Sequence, residues 1–190
     1  MKKKVATHSC IQIIFFLILI AVDQWTKYLA LINLKDQEPV SLIPNVLEFR
    51  YLENAGAAFS MFQNKQWMFY IITAIVLIVV FGLWGRVVLS LKKYSAFETD
   101  AEIFRPKTFK NGVFLNYILM LLAAGAIGNL IDRIHLHYVI DFIYIRLINF
   151  PIFNFADICV SVSAVLIVVF FLFIYKEDKN FKIFGSKKGE

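Results

Sequence analysis

The chain has 190 residues, of which 59% are hydrophobic and only 18% are charged. Soluble domains carry roughly a quarter charged residues, so this composition, with its long apolar runs, excludes an ordinary soluble domain and predicts an integral membrane protein. The net charge of +6 does not indicate nucleic-acid binding, because most Lys and Arg residues flank the apolar runs. The two cysteines, Cys10 and Cys159, lack metal-site spacing and are not expected to form a disulfide.

The first apolar segment follows a basic start, M-K-K-K, as in a secretory signal peptide. Because no small-residue cleavage site follows, we predict a retained transmembrane helix over about 10–34. Asp23 and Lys27 lie four positions apart on one face of this helix and can form an ion pair. Two interpretations stay open: a structural pair near the outer interface with Lys27 snorkelling towards water, or a direct role at a reaction centre.

The first long loop, residues 36–67, is predicted to contain one half-buried strand. Apolar and charged side chains alternate over 46–52, which places Glu48 and Arg50 on the face opposite the apolar side chains. An N-A-G sequence that begins at Asn54 follows and has the chemistry of a turn. It can be an ordinary hairpin turn, or a loop whose Asn54 amide faces a substrate backbone.

A second transmembrane helix is predicted over about 67–91, with Trp67 as an aromatic anchor at one interface. The following loop, 92–110, carries charges of both signs, and we interpret it as a connector without a catalytic role.

The third predicted span covers about 113–133 and becomes polar towards its end. Ala124 and Gly128 lie four apart and predict a stripe of small residues where helices approach closely. Asn129 and Arg133 share a helix face, which is typical of a lined pocket, although an interfacial helix end explains Arg133 equally well.

Residues 135–154 are predicted to form a second outer loop that contains Asp141. The two histidines at its start have no third ligand at metal spacing, so no metal site is expected. A fourth span is predicted over about 155–175, with Asp157 in its first turn, where the helix dipole favours an acid. The charged tail, 176–190, is expected to be mobile.

The basic residues predict the orientation of the chain. Thirteen lie in the N-terminal segment, the middle loop and the tail, against five in the two other loops. Both termini are therefore predicted in the cytoplasm, and both Asp141 and Asp157 at the outer face.

Asp141 and Asp157 flank consecutive spans, so a folded-back loop can bring them together. Two close carboxylates at a low-dielectric boundary would share a proton, as in aspartic proteases, where one acid activates water and the other donates to the carbonyl oxygen. They would titrate as a pair, so neither receives an individual role. The alternative is an N-cap-like Asp157 and an unrelated loop acid. The chain lacks G-x-S-x-G and H-E-x-x-H motifs and a phosphate-binding glycine loop.

Five short motifs occur in the same order as in lipoprotein signal peptidase (signal peptidase II), which the chain resembles over nearly its whole length. They are D-Q-W-T-K at 23–27, N-A-G-A-A-F at 54–59, G-N-L-I-D-R at 128–133, V-I-D-F around Asp141, and F-N-F-A-D ending at Asp157. Each motif is weak alone, but five in order within a four-span chain form a specific signature.

The resemblance implies an all-α integral membrane fold: a four-transmembrane-helix bundle with a small β-containing extracytoplasmic region, in one peptidase domain over 1–190. It implies a bacterial cytoplasmic-membrane enzyme that needs no cofactor or metal and works as a monomer among membrane lipids. Its substrate would be a diacylglyceryl-modified prolipoprotein cut just before the lipidated cysteine. Globomycin-type cyclic peptides would inhibit it.

The resemblance also assigns roles to residues. Asp141 and Asp157 become the catalytic dyad. The polar groups around the substrate or dyad are Asn54, Asn129, Arg133 and Asn154. The supporting residues are Asp23 and Lys27, with Gly56 and Gly128 serving backbone geometry. Two features depart from the family: Ile158 and Cys159 follow Asp157 where a serine is usual, and the 92–110 loop looks long.

Two other classes compete with this interpretation. A small proton-coupled carrier or channel subunit would also hold acids in the membrane, although spread along a path rather than gathered at one face. A non-catalytic assembly factor would pair its acids with cations of a partner.

Overall fold

The structure, a computed structural model, describes residues 2–56, 66–96 and 106–176. Its helices are α1 (Lys2–Leu34), α2 (Gln66–Ala96), α3 (Pro106–His135) and α4 (Phe155–Val169), and α4 continues as a π-helical segment, Phe170–Tyr175. Each of the four contains a stretch long and apolar enough to cross a membrane, so the predicted fold class is confirmed.

The helices differ from their predicted bounds mainly at the polar ends. The helix α1 begins before residue 10, and α2 and α3 extend into the predicted 92–110 connector from both sides. The central part of that connector, 97–105, and the predicted tail from residue 177 onward lie outside the described residues.

A three-stranded antiparallel sheet, in the order β1-β2-β3, lies at one end of the bundle. Its strands are β1 (Val40–Ile43), β2 (Leu47–Asn54) and β3 (Val139–Ile145). The sequence predicted β2 but took β3 for part of a loop, which is wrong. The first four residues of β3 are all buried, so the strand lacks the alternation that revealed β2.

The sequence placed Glu48 and Arg50 together on the polar face of β2, but only one of them is exposed. Glu48 is only 7% exposed and forms an ion pair of 2.6 Å with Arg146. Arg50 is exposed, as expected. The alternation therefore places the strand correctly but not every side chain on it.

The helix α3 is the centre of the bundle and packs against α1, α2 and α4. Half of its most apolar stretch is buried inside the protein, against 11% for α1 and for α2. The main core surrounds α3 and includes Ile118, Ala123 and Phe170. Because α3 contacts every other span, groups near its end can reach α1 and α4 at once.

Two glycines on α3 allow neighbouring helices to approach closely: Gly128, which belongs to the predicted small-residue stripe, and Gly125, which does not. A Cβ atom on Gly125 would lie 2.5 Å from the carbonyl oxygen of Ala156. A Cβ atom on Gly128 would lie 2.9 Å from Cγ of Asp23 and 3.3 Å from Cβ of Ala156. The helices α1, α3 and α4 therefore meet at Gly128 with no space for a side chain.

We expect Gly128→Ala to lower the free energy of unfolding by about 1–3 kcal/mol, because the added methyl group must displace Asp23 or α4. The measurement is the unfolding temperature of the purified protein in detergent. Gly82→Ala in α2 is the matched control, since a Cβ atom there meets no atom of the described residues within 4 Å. Equal unfolding temperatures for the two variants would contradict the close approach at Gly128.

Candidate active site

Asp141 and Asp157 reach one cavity although they come from different elements. Asp141 lies on β3 and Asp157 in the first turn of α4. The cavity has a volume of about 790 Å³. Its lining residues are Arg50, Leu52, Asn54, Gly56, Phe69, Asn129, Arg133, Val139, Asp141, Tyr144, Asn149, Phe150, Pro151, Ile152, Phe153, Asp157 and Ser161. The described structure thus places both acids and three of their predicted polar neighbours, Asn54, Asn129 and Arg133, around one space, whereas Asn154 does not line it.

Both carboxylate oxygens of Asp141, which is 1% exposed, accept a hydrogen bond from an amide. Asn154 Nδ2 donates to Oδ1 at 2.7 Å, and Asn54 Nδ2 donates to Oδ2 at 2.8 Å. The backbone N–H of Gly56 donates to Asn54 Oδ1 at 3.0 Å, which fixes the orientation of that amide. The Asn54 turn therefore has a specific task, which is to hold Asp141; Ala57–Phe59 of its motif lie outside the described residues.

Asp157 is held by a capping box at the start of α4. Asn154 is the N-cap: its Oδ1 accepts from the N–H of Asp157, and its own N–H donates to Asp157 Oδ2, both at 3.0 Å. Asn129 Nδ2 donates to the other oxygen, Oδ1, at 2.8 Å. The interpretation of Asp157 as an N-cap-like residue is therefore confirmed, whereas the description of Asp141 as an unrelated loop acid is wrong, because Asn154 binds both acids.

Asn154 joins the surroundings of the two acids. It is fully buried, and its Nδ2 group donates to Asp141 and also to Asn129 Oδ1, at 3.0 Å. Because its backbone and Oδ1 bind Asp157, one residue fixes the position of both carboxylates relative to each other.

Arg133 supplies the positive charge next to the cavity. Its guanidinium group donates to the carbonyl oxygens of Gly56, at 3.3 Å, and Asn129, at 3.4 Å, and lies 4.3 Å above the ring centre of Phe69. Its buried Nε has no hydrogen-bond partner among the described residues. The interpretation of Arg133 as a simple interfacial residue does not explain this packing.

Lys27 does not snorkel towards water, so that expectation is wrong. It is 2% exposed, pairs with Asp23 at 2.9 Å and donates to Asn129 Oδ1 at 2.9 Å. A second acid, Asp132, lies 3.0 Å from its ammonium group. Sequence reasoning missed Asp132, although it lies in the G-N-L-I-D-R motif, because its partner belongs to a distant helix.

Burial raises the pKa of Asp141 to about 7, and the negative charge of Asp157 adds to the effect, while the two asparagine amides oppose it. A carboxyl group with a pKa near 7 keeps a proton at a pH where an ordinary aspartate has lost it. The described residues contain no group of three or more His, Cys, Asp or Glu side chains suited to a metal ion. The arrangement suits proton transfer to and from a reacting carbonyl group and water.

We expect the folded state to lose stability as the pH rises from about 4 to about 7. Because the pKa of Asp141 is raised in the folded state, the folded state binds more protons than the unfolded state in this window. The free energy of unfolding therefore falls as the pH rises. The measurement is the unfolding temperature across this pH range for the protein and for Asp141→Asn. A pH dependence that is the same in both would contradict the assignment.

Comparisons with known proteins show the family of the chain. The family model described as "Signal peptidase (SPase) II" matches residues 15–173. A lipoprotein signal peptidase of Lactobacillus johnsonii is 36% identical over 171 residues, which cover 90% of this chain and 97% of the relative. One of Enterococcus faecalis is 35% identical over 173 residues, covering 90% of this chain and 94% of the relative.

A solved structure titled "Bacterial membrane enzyme structure by the in meso method at 2.3 A resolution" has a similar fold. It superposes with a TM-score of 0.65 at 29% identity, covering 93% of this chain and 94% of the other. The family match covers the second and third spans completely, most of the first and fourth, and both acids of the cavity. The chain belongs to the signal peptidase II family of bacterial membrane peptidases.

Proposed function

We propose that this protein is a membrane aspartic endopeptidase that removes the signal peptide from diacylglyceryl-modified prolipoproteins, cutting just before the lipidated cysteine. The observation that carries the proposal is the shared cavity of Asp141 and Asp157, whose carboxylates are tied together through Asn154. Membership of the signal peptidase II family supports the reaction and the substrate class.

In the proposed reaction, one aspartate accepts a proton from water while the other donates a proton to the scissile carbonyl oxygen. The water oxygen then attacks the carbonyl carbon, and the C–N bond breaks as the leaving amine takes up a proton. The products are the carboxylate of the signal peptide and the free amine of the lipidated cysteine. Asp141, with its pKa near 7, is suited to share a proton with Asp157 at neutral pH.

The polar residues receive two kinds of role. Asn54, Asn129 and Asn154 use their amides to hold the dyad, so we assign them to orienting the two acids. Among the described residues nothing pairs with Arg133 Nε beside the cavity, so we assign Arg133 to contacting the substrate backbone. Gly56 receives an Arg133 hydrogen bond on its carbonyl and so positions that cation.

The cavity has walls that suit a lipidated substrate. Phe150, Ile152 and Phe153 line it on the segment before α4. Acyl chains in an apolar groove gain ~0.8 kcal/mol for each buried methylene group. The substrate remains in the membrane, so its scissile bond is presented at the depth of the helix end that carries Asp157.

We further propose that both termini lie in the cytoplasm and that the cavity opens at the outer face. The distribution of basic residues, thirteen against five, supports this orientation. The grouping of Asp141 and Asp157 in one cavity, rather than along a path, favours a peptidase over a proton-coupled carrier. A monomer suffices, since one chain provides both acids, and globomycin-type peptides should occupy the same cavity.

The test is cleavage of a diacylglyceryl-modified prolipoprotein by the purified protein in detergent, without added metal. The matched control substrate carries serine in place of the lipidated cysteine. We expect cleavage of the lipidated substrate only, unchanged by a chelator and blocked by globomycin. Equal cleavage of both substrates would overturn the substrate assignment, and loss of activity with the chelator would overturn the metal-free mechanism.

A further inference from the structure

A buried group of three charged residues lies next to the dyad. It consists of Asp23, Lys27 and Asp132, which are 1%, 2% and 3% exposed, and we call it the ion triad. Lys27 Nζ lies 2.9 Å from Asp23 Oδ2 and 3.0 Å from Asp132 Oδ2. Burying three charges is costly and does not by itself stabilise a fold, so the other contacts of the ion triad indicate what it does.

Each acid of the ion triad binds the backbone N–H directly before one of the two aspartates. Asp132 Oδ2 accepts from Ile140 N–H at 3.1 Å, one residue before Asp141. Asp23 Oδ1 accepts from Ala156 N–H at 2.9 Å, one residue before Asp157. Because Lys27 binds both acids, it links the strand that carries one aspartate to the helix that carries the other.

A side-chain path runs from the ion triad to the dyad as well. Lys27 Nζ donates to Asn129 Oδ1 at 2.9 Å, and Asn129 Nδ2 donates to Asp157 Oδ1 at 2.8 Å. Since Lys27 is only a donor, it fixes the oxygen of the Asn129 amide towards itself and the NH₂ group towards Asp157.

We propose that Asp132 is a positioning residue of the reaction, and that the ion triad sets the separation of Asp141 and Asp157 by holding the backbone before each of them. The inference rests on the proposed function, because it takes the two aspartates as the catalytic pair. The separation of the two aspartates matters for the rate, since a displacement of about 1 Å can lower the rate about 100-fold.

The two acids of the ion triad use their oxygens differently, which provides a sharp test. Asp132 binds Lys27 and Ile140 N–H with the same oxygen, and its other oxygen accepts from Gln24 Nε2 at 3.1 Å. Asparagine can keep its single oxygen in that shared place. Its NH₂ group then faces Gln24 Nε2, which keeps two other acceptors, Asp23 Oδ2 at 3.1 Å and the carbonyl oxygen of Gly128 at 3.2 Å, so the loss is confined to one side-chain contact.

Asp23 cannot be replaced in this way. Its Oδ1 binds Ala156 N–H and its Oδ2 binds Lys27, so asparagine would turn an NH₂ group towards one of these two donors. Asp23→Asn and Asp132→Asn each leave one neutral ion pair in the ion triad. The two variants are therefore matched in charge and differ in hydrogen bonding.

The experiment measures kcat, KM and the unfolding temperature of the full-length protein in detergent with the lipidated precursor. We expect Asp132→Asn to keep kcat within about 10-fold of the unsubstituted protein and Asp23→Asn to lose at least about 100-fold, with KM nearly unchanged in both. A merely structural role would lower kcat only in step with the unfolding temperature. Equal kcat values for the two variants would overturn the inference.

A second pair of variants decides the question if Asp23→Asn does not accumulate in the membrane. Asp132→Ala removes the acceptor of Ile140 N–H, so its kcat should lie at least about 10-fold below that of Asp132→Asn at similar KM. Equal values would overturn the positioning role. Asp141→Asn is measured alongside: full activity there would refute the proposed function itself. An inactive Asp141→Asn beside fully active Asp23→Asn and Asp132→Ala variants would refute the inference alone.

Discussion

Asp141→Asn and Asp157→Asn should each reduce kcat for the lipidated precursor by at least roughly 10²- to 10⁴-fold, the range that general acid–base catalysis contributes. Asparagine keeps the shape of the side chain but can neither take a proton from water nor give one to the carbonyl oxygen. Because the two acids act as a unit, their effects should not add. The double variant should be at least as active as the less active of the two single variants. The measurement is single-turnover cleavage by purified variants that retain their unfolding transition.

The matched control for this prediction is Glu48→Gln, which also replaces a buried carboxylate by an amide. Glu48 pairs with Arg146 on the sheet and does not line the cavity. We expect full activity from this control. Turnover by either dyad variant at the rate of the control would refute the assignment of the catalytic pair.

Substitution of Asn154 should separate the stability of α4 from catalysis. Serine is as good an N-cap as asparagine, so Asn154→Ser should keep the cap, whereas Asn154→Ala should cost about 1 kcal/mol of unfolding free energy. Both variants lose the amide that binds Asp141 and Asn129, because neither side chain has an NH₂ group. We therefore expect kcat to fall about 100-fold in both, in line with a displacement of about 1 Å.

Unfolding temperature and kcat, measured on the same preparations, check the Asn154 prediction. The serine variant should unfold at a higher temperature than the alanine variant and match it in rate, since both lose the buried Nδ2 contacts and only serine keeps the cap. An Asn154→Ser variant with normal kcat would mean that the cap alone accounts for the effect of this residue, and that its Nδ2 contact with Asp141 is dispensable.

The sequence predicted the features that depend on local pattern. Hydropathy placed the four spans, the alternation in 46–52 placed β2, and the first-turn position of Asp157 followed from its place before an apolar run. The site residues were predicted mainly through the family resemblance, because spacing only allowed Asp141 and Asp157 to meet.

The features that the sequence did not predict depend on contacts between distant segments. The strand β3 is buried on both sides and so shows no alternation, and its pairing with β2 is what brings Asp141 next to Asn54. Lys27 remains buried because it finds a second acid, Asp132, on another helix. A local sequence pattern does not indicate a partner on a distant helix.

The site described above combines groups from both halves of the chain. Asn54 and Lys27 precede the connector between α2 and α3, whereas Asp141 and Asp157 follow it, and the capping box opens the last span. During synthesis from the N-terminus, the centre can form only after α4 has entered the membrane. A chain in which α4 is not yet made lacks Asp157 and its capping box, so the proposed centre is completed last.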